Sequence, residues 1–211
     1  MICPASDRCK KLNSPVCNEL CYGYLTVTFQ LDSAKIPKLY RKFRYYNIEI
    51  GERAKQILEK YCLNIVKNVE SGYSLYLYGD NTTGKTATAC AILMEYLIQK
   101  ALTVKQEPQG LFVVVPELLN QIRDSFNSDD YEWLLTDIKN IPLLVMDDIG
   151  SERSTEWAQE QLFEIINYRY SNNLATIYTS NVSVKMLEDL LGRRISSRLN
   201  QATKIPFYRE E

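Results

Sequence analysis

The sequence predicts an α/β domain whose parallel sheet is covered by helices on both faces. Three observations carry this. Short, continuous apolar runs recur at 75–78, 111–115, 143–146 and 175–179, too uniformly apolar for strands with one wet face. Segments with helical periodicity separate them, the alternation that joins parallel strands through crossover connections. One crossover opens on a glycine-bounded loop, Gly79 to Gly84, where a buried strand gives way to a helix.

The chain has 211 residues, room for one core and a small appendage but thin for two full domains. Hydrophobic content of 45% and charged content of 24% are those of an ordinary globular chain. No apolar run approaches the roughly 18 residues of a membrane span. The N-terminus, MICPASDRCKK, lacks the apolar segment of a secretory signal, so a cytoplasmic protein with no membrane partner is expected. Net charge is -1, but Lys and Arg outnumber Asp and Glu in the first 70 residues and the reverse holds afterwards. That asymmetry suits a polyanion or an acidic partner, or a merely solvated surface.

Each element follows in order. Residues 1–34 read as a small irregular unit holding four of the six cysteines, with a strand at Tyr24–Phe29 from its β-branched and aromatic content. Residues 35–47, KIPKLYRKFRYYN, form a basic, aromatic connector. The α/β domain, 48–211, opens on a long helix. Ala54, Ile57, Leu58, Tyr61, Cys62, Ile65, Val66 and Val69 recur at helical spacing until Ser71-Gly72. Strand Leu75–Tyr78, the glycine loop and a helix from Lys85 follow. Leu111–Val115 is a buried strand and Glu117–Phe126 a helix. A polar break at 127–130 precedes a helix ending near Asn140. Leu143–Met146 is a strand closed by Asp147-Asp148. Glu156–Tyr170 is a helix, Ala175–Thr179 a strand, Val184–Leu191 and Ile195–Leu199 short helices, and Lys204–Phe207 a last strand. Cys62 and Cys90 fall on apolar helical positions and read as core residues.

The loop Gly79-Asp80-Asn81-Thr82-Thr83-Gly84-Lys85-Thr86 fits G-x-x-x-x-G-K-[ST] in its strand–loop–helix setting. Glycines let successive N–H groups turn inward around phosphate oxygens. The helix start adds unpaired N–H groups and a positive dipole end. Lys85 reaches for the β- and γ-phosphates of ATP, and the Thr86 hydroxyl for Mg²⁺. Such a site needs an acid at the end of another buried strand. Asp147 supplies it for Mg²⁺, and Asp148 can orient or deprotonate a water. Strand 175–179 runs into Ser180-Asn181, where a polar side chain could position that water. Arg194 and Arg198 lie one helical turn apart, either a surface pair or an arginine finger for a neighbouring subunit.

With these four parts in order, the chain resembles the AAA+ ATPases, and more narrowly the replicative helicase loaders of the DnaC/DnaI type. The resemblance runs from about Ile36 to Phe207 and is most specific in LLVMDDIGSERSTEWAQEQLFEIINYRYSNNLATIYTSN and LLGRRISSRL. It implies an AAA+ P-loop fold in which Gly79–Thr86 is Walker A, Asp147-Asp148 Walker B and Asn181 sensor 1. Arg198 then best matches the finger, with Arg194 beside it. The chain ends soon after its last strand, so the usual AAA+ helical lid is expected to be absent. The resemblance further implies an ATPase that self-associates into a ring or spiral on single-stranded DNA and holds a hexameric replicative helicase, contacted by the N-terminal unit. Two departures stand out. Thr82 occupies a position where the family often has a third glycine. Asp148 replaces a frequent glutamate and is one methylene shorter, which suits slow hydrolysis.

Cys3, Cys9, Cys17 and Cys21 could complete a tetrahedral Zn²⁺ site, which a unit of about 34 residues with little core would benefit from, or remain reduced thiols. For DNA, Thr155 and Trp157 begin the helix after Walker B, a place that faces the central channel in related rings. Arg123 and Phe126 are further candidates, because basic and stacking side chains hold single strands. A core role for Trp157 is equally open. Three other functions fit the phosphate loop: an IstB-type transposition helper, a nucleotide-gated binding module without turnover, and a small-molecule kinase. The strand at 111–115 and the polar end at Asn181 suit attack by water over a bound acceptor, which disfavours the kinase.

Overall fold

The computed structural model describes residues 3, 6, 17, 18, 21–101, 107–125, 130–151 and 155–208. Five short strands, β1 (Leu75–Gly79), β2 (Gly110–Val114), β3 (Leu143–Asp147), β4 (Ala175–Ser180) and β5 (Thr203–Phe207), pair in parallel in the order β2-β3-β4-β1-β5. Alternation along the strands divides the interior in two. Leu75, Leu77, Val145, Ile177 and Ile205 face a core shared with helices α1 (Tyr22–Ser33), α2 (Glu52–Leu63), α3 (Ile65–Glu70) and α4 (Lys85–Lys100). Tyr76, Leu144, Met146 and Tyr178 face a second core under α5 (Val115–Ser125), α6 (Asp130–Asn140), α7 (Glu156–Ser171), α8 (Val184–Leu191) and α9 (Arg193–Leu199). Helix α4 is buried on every side from Thr88 to Ile98, mostly through apolar residues, and anchors the first core. The doubly covered parallel sheet is the fold expected from the sequence.

The strand expected at Tyr24–Phe29 is instead the middle of α1. Val27, Leu31 and Ala34 bury against α4 and β2, and that helical spacing overrides the β-branched composition. Thr26 fits because its hydroxyl donates to the Tyr22 carbonyl, 2.6 Å away. Gln30, fully buried, donates to Glu107 O and accepts from Gln109 N. The Ala34 carbonyl accepts from Phe112 N at 2.9 Å, so α1 ends on the open edge of β2. Residues 22–34 therefore share the core of the α/β domain.

The long helix expected over 54–69 breaks at Asn64, whose φ of -120° and ψ of 30° leave the helical region. The Asn68 side chain satisfies the freed Tyr61 carbonyl at 2.9 Å. Between them the two pieces still bury the predicted positions Ala54, Leu58, Tyr61, Cys62, Ile65 and Val69.

One buried side chain ties the second layer to the sheet. Arg169, on α7, has no exposed surface. Its guanidinium donates to Thr176 Oγ1, to Ala175 O and to the carbonyls of Ile138, Lys139 and Ile141. It thus collects the orphan carbonyls at the end of α6 and joins α6, α7 and β4. Arg169→Met would strand these acceptors in the interior. The expected cost is about 3 kcal/mol. A thermal melt should then shift down by roughly 6–12 °C; an unchanged melt would show that the carbonyls find other partners.

Candidate functional site

The site forms at the carboxyl ends of β1, β3 and β4, where the chain leaves the sheet. Gly79 ends β1 with φ 138°, and a Cβ there would lie 1.9 Å from the Phe207 carbonyl. Only glycine lets β1 pass β5 at that point. Asp80 N then donates to Phe207 O, and Thr83 Oγ1 to Asp80 O, which curls the loop. Gly84 (φ 89°) turns the chain into α4 at Lys85. Thr82 stands at φ 63°, a left-handed conformation that a β-branched residue adopts only under strain. This is the position where the resemblance puts a glycine.

Lys85 is 7% exposed, and its ammonium folds back onto the loop's own carbonyls, Gly79 O at 2.9 Å and Asp80 O. Burial pushes its pKa below the usual lysine value, and the charges of Asp148, Asp80 and Asp147 oppose the shift. In the first turn of α4, the Thr86 hydroxyl donates to Asp147 Oδ1 at 2.8 Å. The same oxygen accepts from Thr179 Oγ1, on β4, at 2.6 Å. Burial raises the Asp147 pKa against these two hydroxyl bonds, Asp148 raises it further, and Lys85 opposes.

Asp148 leaves β3 at φ 62°. Its N–H donates to Thr179 Oγ1 at 2.9 Å, and its carboxylate accepts from Asn181 Nδ2 at 3.0 Å. Ile149 N to Thr179 O, and Ser180 Oγ to Ile149 O, fix the turn against β4. Phosphate loop, two acids and Asn181 therefore converge on one end of the sheet. The sequence reading passed over Thr179, which touches both acids. The available signal was a hydroxyl at the end of the strand beside the acidic strand. The same reading took residues 35–47 as a connector, without a place beside the site. Tyr40, in a 3-10 turn at Lys38–Lys42, packs on the first core, and burial together with the charge of Asp147 raises its pKa. Ile48 Cγ2 lies 3.9 Å from where a Gly84 side chain would begin.

The remaining candidates lie elsewhere. Arg194 and Arg198 stand over the two halves of one contact, 3.7 and 5.1 Å from the Phe163 ring centroid. Arg198 also donates twice to Asn167 Oδ1. Arg123 sits 4.8 Å from the Trp157 ring, so two DNA candidates meet on the surface of α5 and α7. Trp157 is partly buried against the second core, and Thr155 Oγ1 caps α7 by accepting from Ala158 N. Phe126 and Cys9 lie outside the described residues. Cys3, Cys17 and Cys21 are free cysteines, and among the described residues no three Cys, Asp, Glu or His side chains gather as a metal cluster. Among those residues no helix is long and apolar enough to cross a membrane.

The profile of the family described as "IstB-like ATP binding protein" matches residues 25–198. The chain is 27% identical to the replicative helicase loader DnaI of Bacillus subtilis over 143 residues, 66% of this chain and 44% of DnaI. It is 30% identical to the replicative helicase loader DnaC of Buchnera aphidicola subsp. Baizongia pistaciae over 162 residues, 74% of this chain and 62% of DnaC. The chain thus spans about half the length of the curated relatives it matches. A crystal structure of the DnaC helicase loader superposes with a TM-score of 0.69 at 26% identity, covering 81% of this chain and 99% of that one.

Two outcomes follow from the site's energetics. Asp147 has a pKa raised above its unfolded value, so its ionised form opposes folding, and stability falls as pH rises through the folded pKa. Asp147→Asn should raise the melting temperature of the metal-free protein at pH 7, and the gain should shrink on acidification into the carboxylate range. A lower melting temperature at pH 7 would refute the burial argument. Thr82→Gly should relieve about 1 kcal/mol of left-handed strain, partly offset by unfolded-chain entropy. Its melt should rise by a few degrees; a fall would show that the threonine side chain stabilises the loop.

Proposed function

The chain belongs to the IstB-like ATP-binding family, and on that premise we propose that it is an ATP-dependent loader that places a hexameric replicative helicase on single-stranded DNA. The observation that carries the reading is the hydroxyl–carboxylate chain Thr86–Asp147–Thr179–Asp148–Asn181 beside the phosphate loop.

The residues fit ATP and Mg²⁺ on their own chemistry. Thr86 and Asp147 offer the hard oxygens that Mg²⁺ takes, already 2.8 Å apart. Gly79 to Thr86 would hold the phosphates, with Lys85 exchanging the loop carbonyls for phosphate oxygens. When bound, ATP with Mg²⁺ supplies the phosphoanhydride whose presence or loss switches the protein between states. Asp148 can hold a water, or accept its proton, at a carboxylate that Asn181 keeps aimed. Arg198 lines the opposite edge of the sheet from the phosphate loop, which supports a role toward a neighbouring copy in a ring or spiral. The paired Arg123 and Trp157 supply a cation and a stacking face for single-stranded DNA. Slow turnover fits the shorter Asp148, since binding and release alone can drive loading.

The relatives' names favour the loader. The family description favours a second reading, a transposition helper ATPase. Affinity capture from the native cell extract with ATP, read by mass spectrometry, separates them. A replicative helicase is expected in the eluate; a transposase in its place transfers the assignment to the second reading. In parallel, Lys85→Ala should abolish ATP binding, and undiminished binding would refute the phosphate-loop assignment itself.

A further inference from the structure

Adjacent residues of a strand point to opposite faces, so two neighbouring acids serve one site only if the chain turns between them. Asp148 makes that turn at φ 62°, in the left-handed region. Three consecutive residues at the end of β4 hold it. Asp148 N donates to Thr179 Oγ1 and Ile149 N to Thr179 O, each at 2.9 Å. Ser180 Oγ donates to Ile149 O, and Asn181 Nδ2 to the Asp148 carboxylate. Thr179 also bonds the other acid, Asp147, at 2.6 Å.

The direction of these bonds is fixed by chemistry. A hydroxyl has one hydrogen to give and lone pairs with which to accept. The Asp148 N–H can only donate, so the Thr179 oxygen accepts there and its one hydrogen goes to Asp147 Oδ1. Thr179 is 2% exposed, so water competes little for either bond. The Met146–Tyr178 pairing sets Thr179 beside Asp147, and β4 is laddered to β1 on its other side. The hydroxyl therefore moves only if the strand does.

We propose that Thr179 is a positioning residue for ATP hydrolysis, whose hydroxyl ties Asp147 to Asp148 so that the two acids act as one unit. The proposal rests on the ATPase reading above and adds a residue to it. Thr179 holds the turn and leaves phosphate binding to the glycine loop, so its loss falls on the chemical step more than on ATP affinity.

Two variants of the full chain test this. Thr179→Val keeps the β-branched shape and removes both hydroxyl bonds; Thr179→Ser keeps the hydroxyl and removes a methyl group. In steady-state ATP hydrolysis, Thr179→Val should lower kcat roughly tenfold or more with KM within about threefold of the parent, and Thr179→Ser should keep both constants near the parent's. Amide hydrogen exchange by NMR on the nucleotide-free protein gives a second readout. The Asp148 amide should exchange roughly tenfold faster in Thr179→Val, while the Ile149 amide, bonded to the Thr179 main-chain carbonyl, keeps its rate. A kcat that Thr179→Val leaves unchanged, a loss that Thr179→Ser shares, or a defect confined to KM overturns the proposal. So does an Asp148 amide that exchanges at the free-chain rate in the parent, which needs no variant. A parent that binds ATP without releasing phosphate is a failure of the ATPase reading. The amide rates then decide whether Thr179 holds the acids together, and equal Asp148 rates in the parent and Thr179→Val overturn the proposal.

Discussion

One buried carboxylate governs the arrangement of this molecule. Asp147 stands at the end of β3 where water cannot solvate it well, so hydroxyls must. They come from the first turn of α4 and from the end of β4. The order β3-β4-β1 explains why two are needed. β4 lies between the acid's strand and the strand that feeds the phosphate loop. Thr179 closes the gap from the strand in between, while Thr86 reaches across it from the helix. Shifting β4 by one residue would turn Thr179 to the other face and leave Asp147 without its shortest bond.

Strain collects at the same place. Asp148 and Thr82 both sit at positive φ, and both mark where the chain leaves regular structure for the site. For Asp148 the geometry has a use. The left-handed turn aims its N–H at Thr179 and its carboxylate at Asn181. Asp tolerates that conformation better than most residues, which suits the shorter acid at this position. At Thr82 the hydroxyl donates to the preceding carbonyl, Asn81 O, at 2.6 Å. The surrounding loop holds it there, and the first-layer helices hold the loop.

The parts of the site that sequence made legible are those whose chemistry is local. Two glycines at fixed spacing, a lysine after them and an acid ending an apolar run each speak for themselves. Thr179 does not, because its importance comes from lying beside β3, a relation that only the strand order creates. The same holds for Arg169, which reads as one more charge on a helix until the end of α6 closes over it. The reading of Tyr24–Phe29 as a strand failed for a related reason. Its composition is that of a strand, but its burial partners recur at helical spacing on α4 and β2. Asn64 broke a periodic pattern that residues on both sides continued to obey.

The strand that organises the phosphate-loop end of the sheet also reaches the opposite end. β4 is buried along its whole length and bonded on both sides, to β3 and to β1. Near its start, Thr176 accepts from Arg169; near its end, Thr179 holds Asp147. Six residues of strand thus connect the buried Arg169 clamp with the phosphate-loop end through backbone that cannot slide independently. Helix α9, which carries Arg194 and Arg198, packs on α7, and α7 is locked to β4 through Arg169. The two arginines therefore stand at a fixed distance from the nucleotide edge of their own chain. In the assembly proposed above, a group reaching a neighbouring copy's site would need this kind of placement, because each copy could align its neighbour's site only as rigidly as it holds its own contact surface.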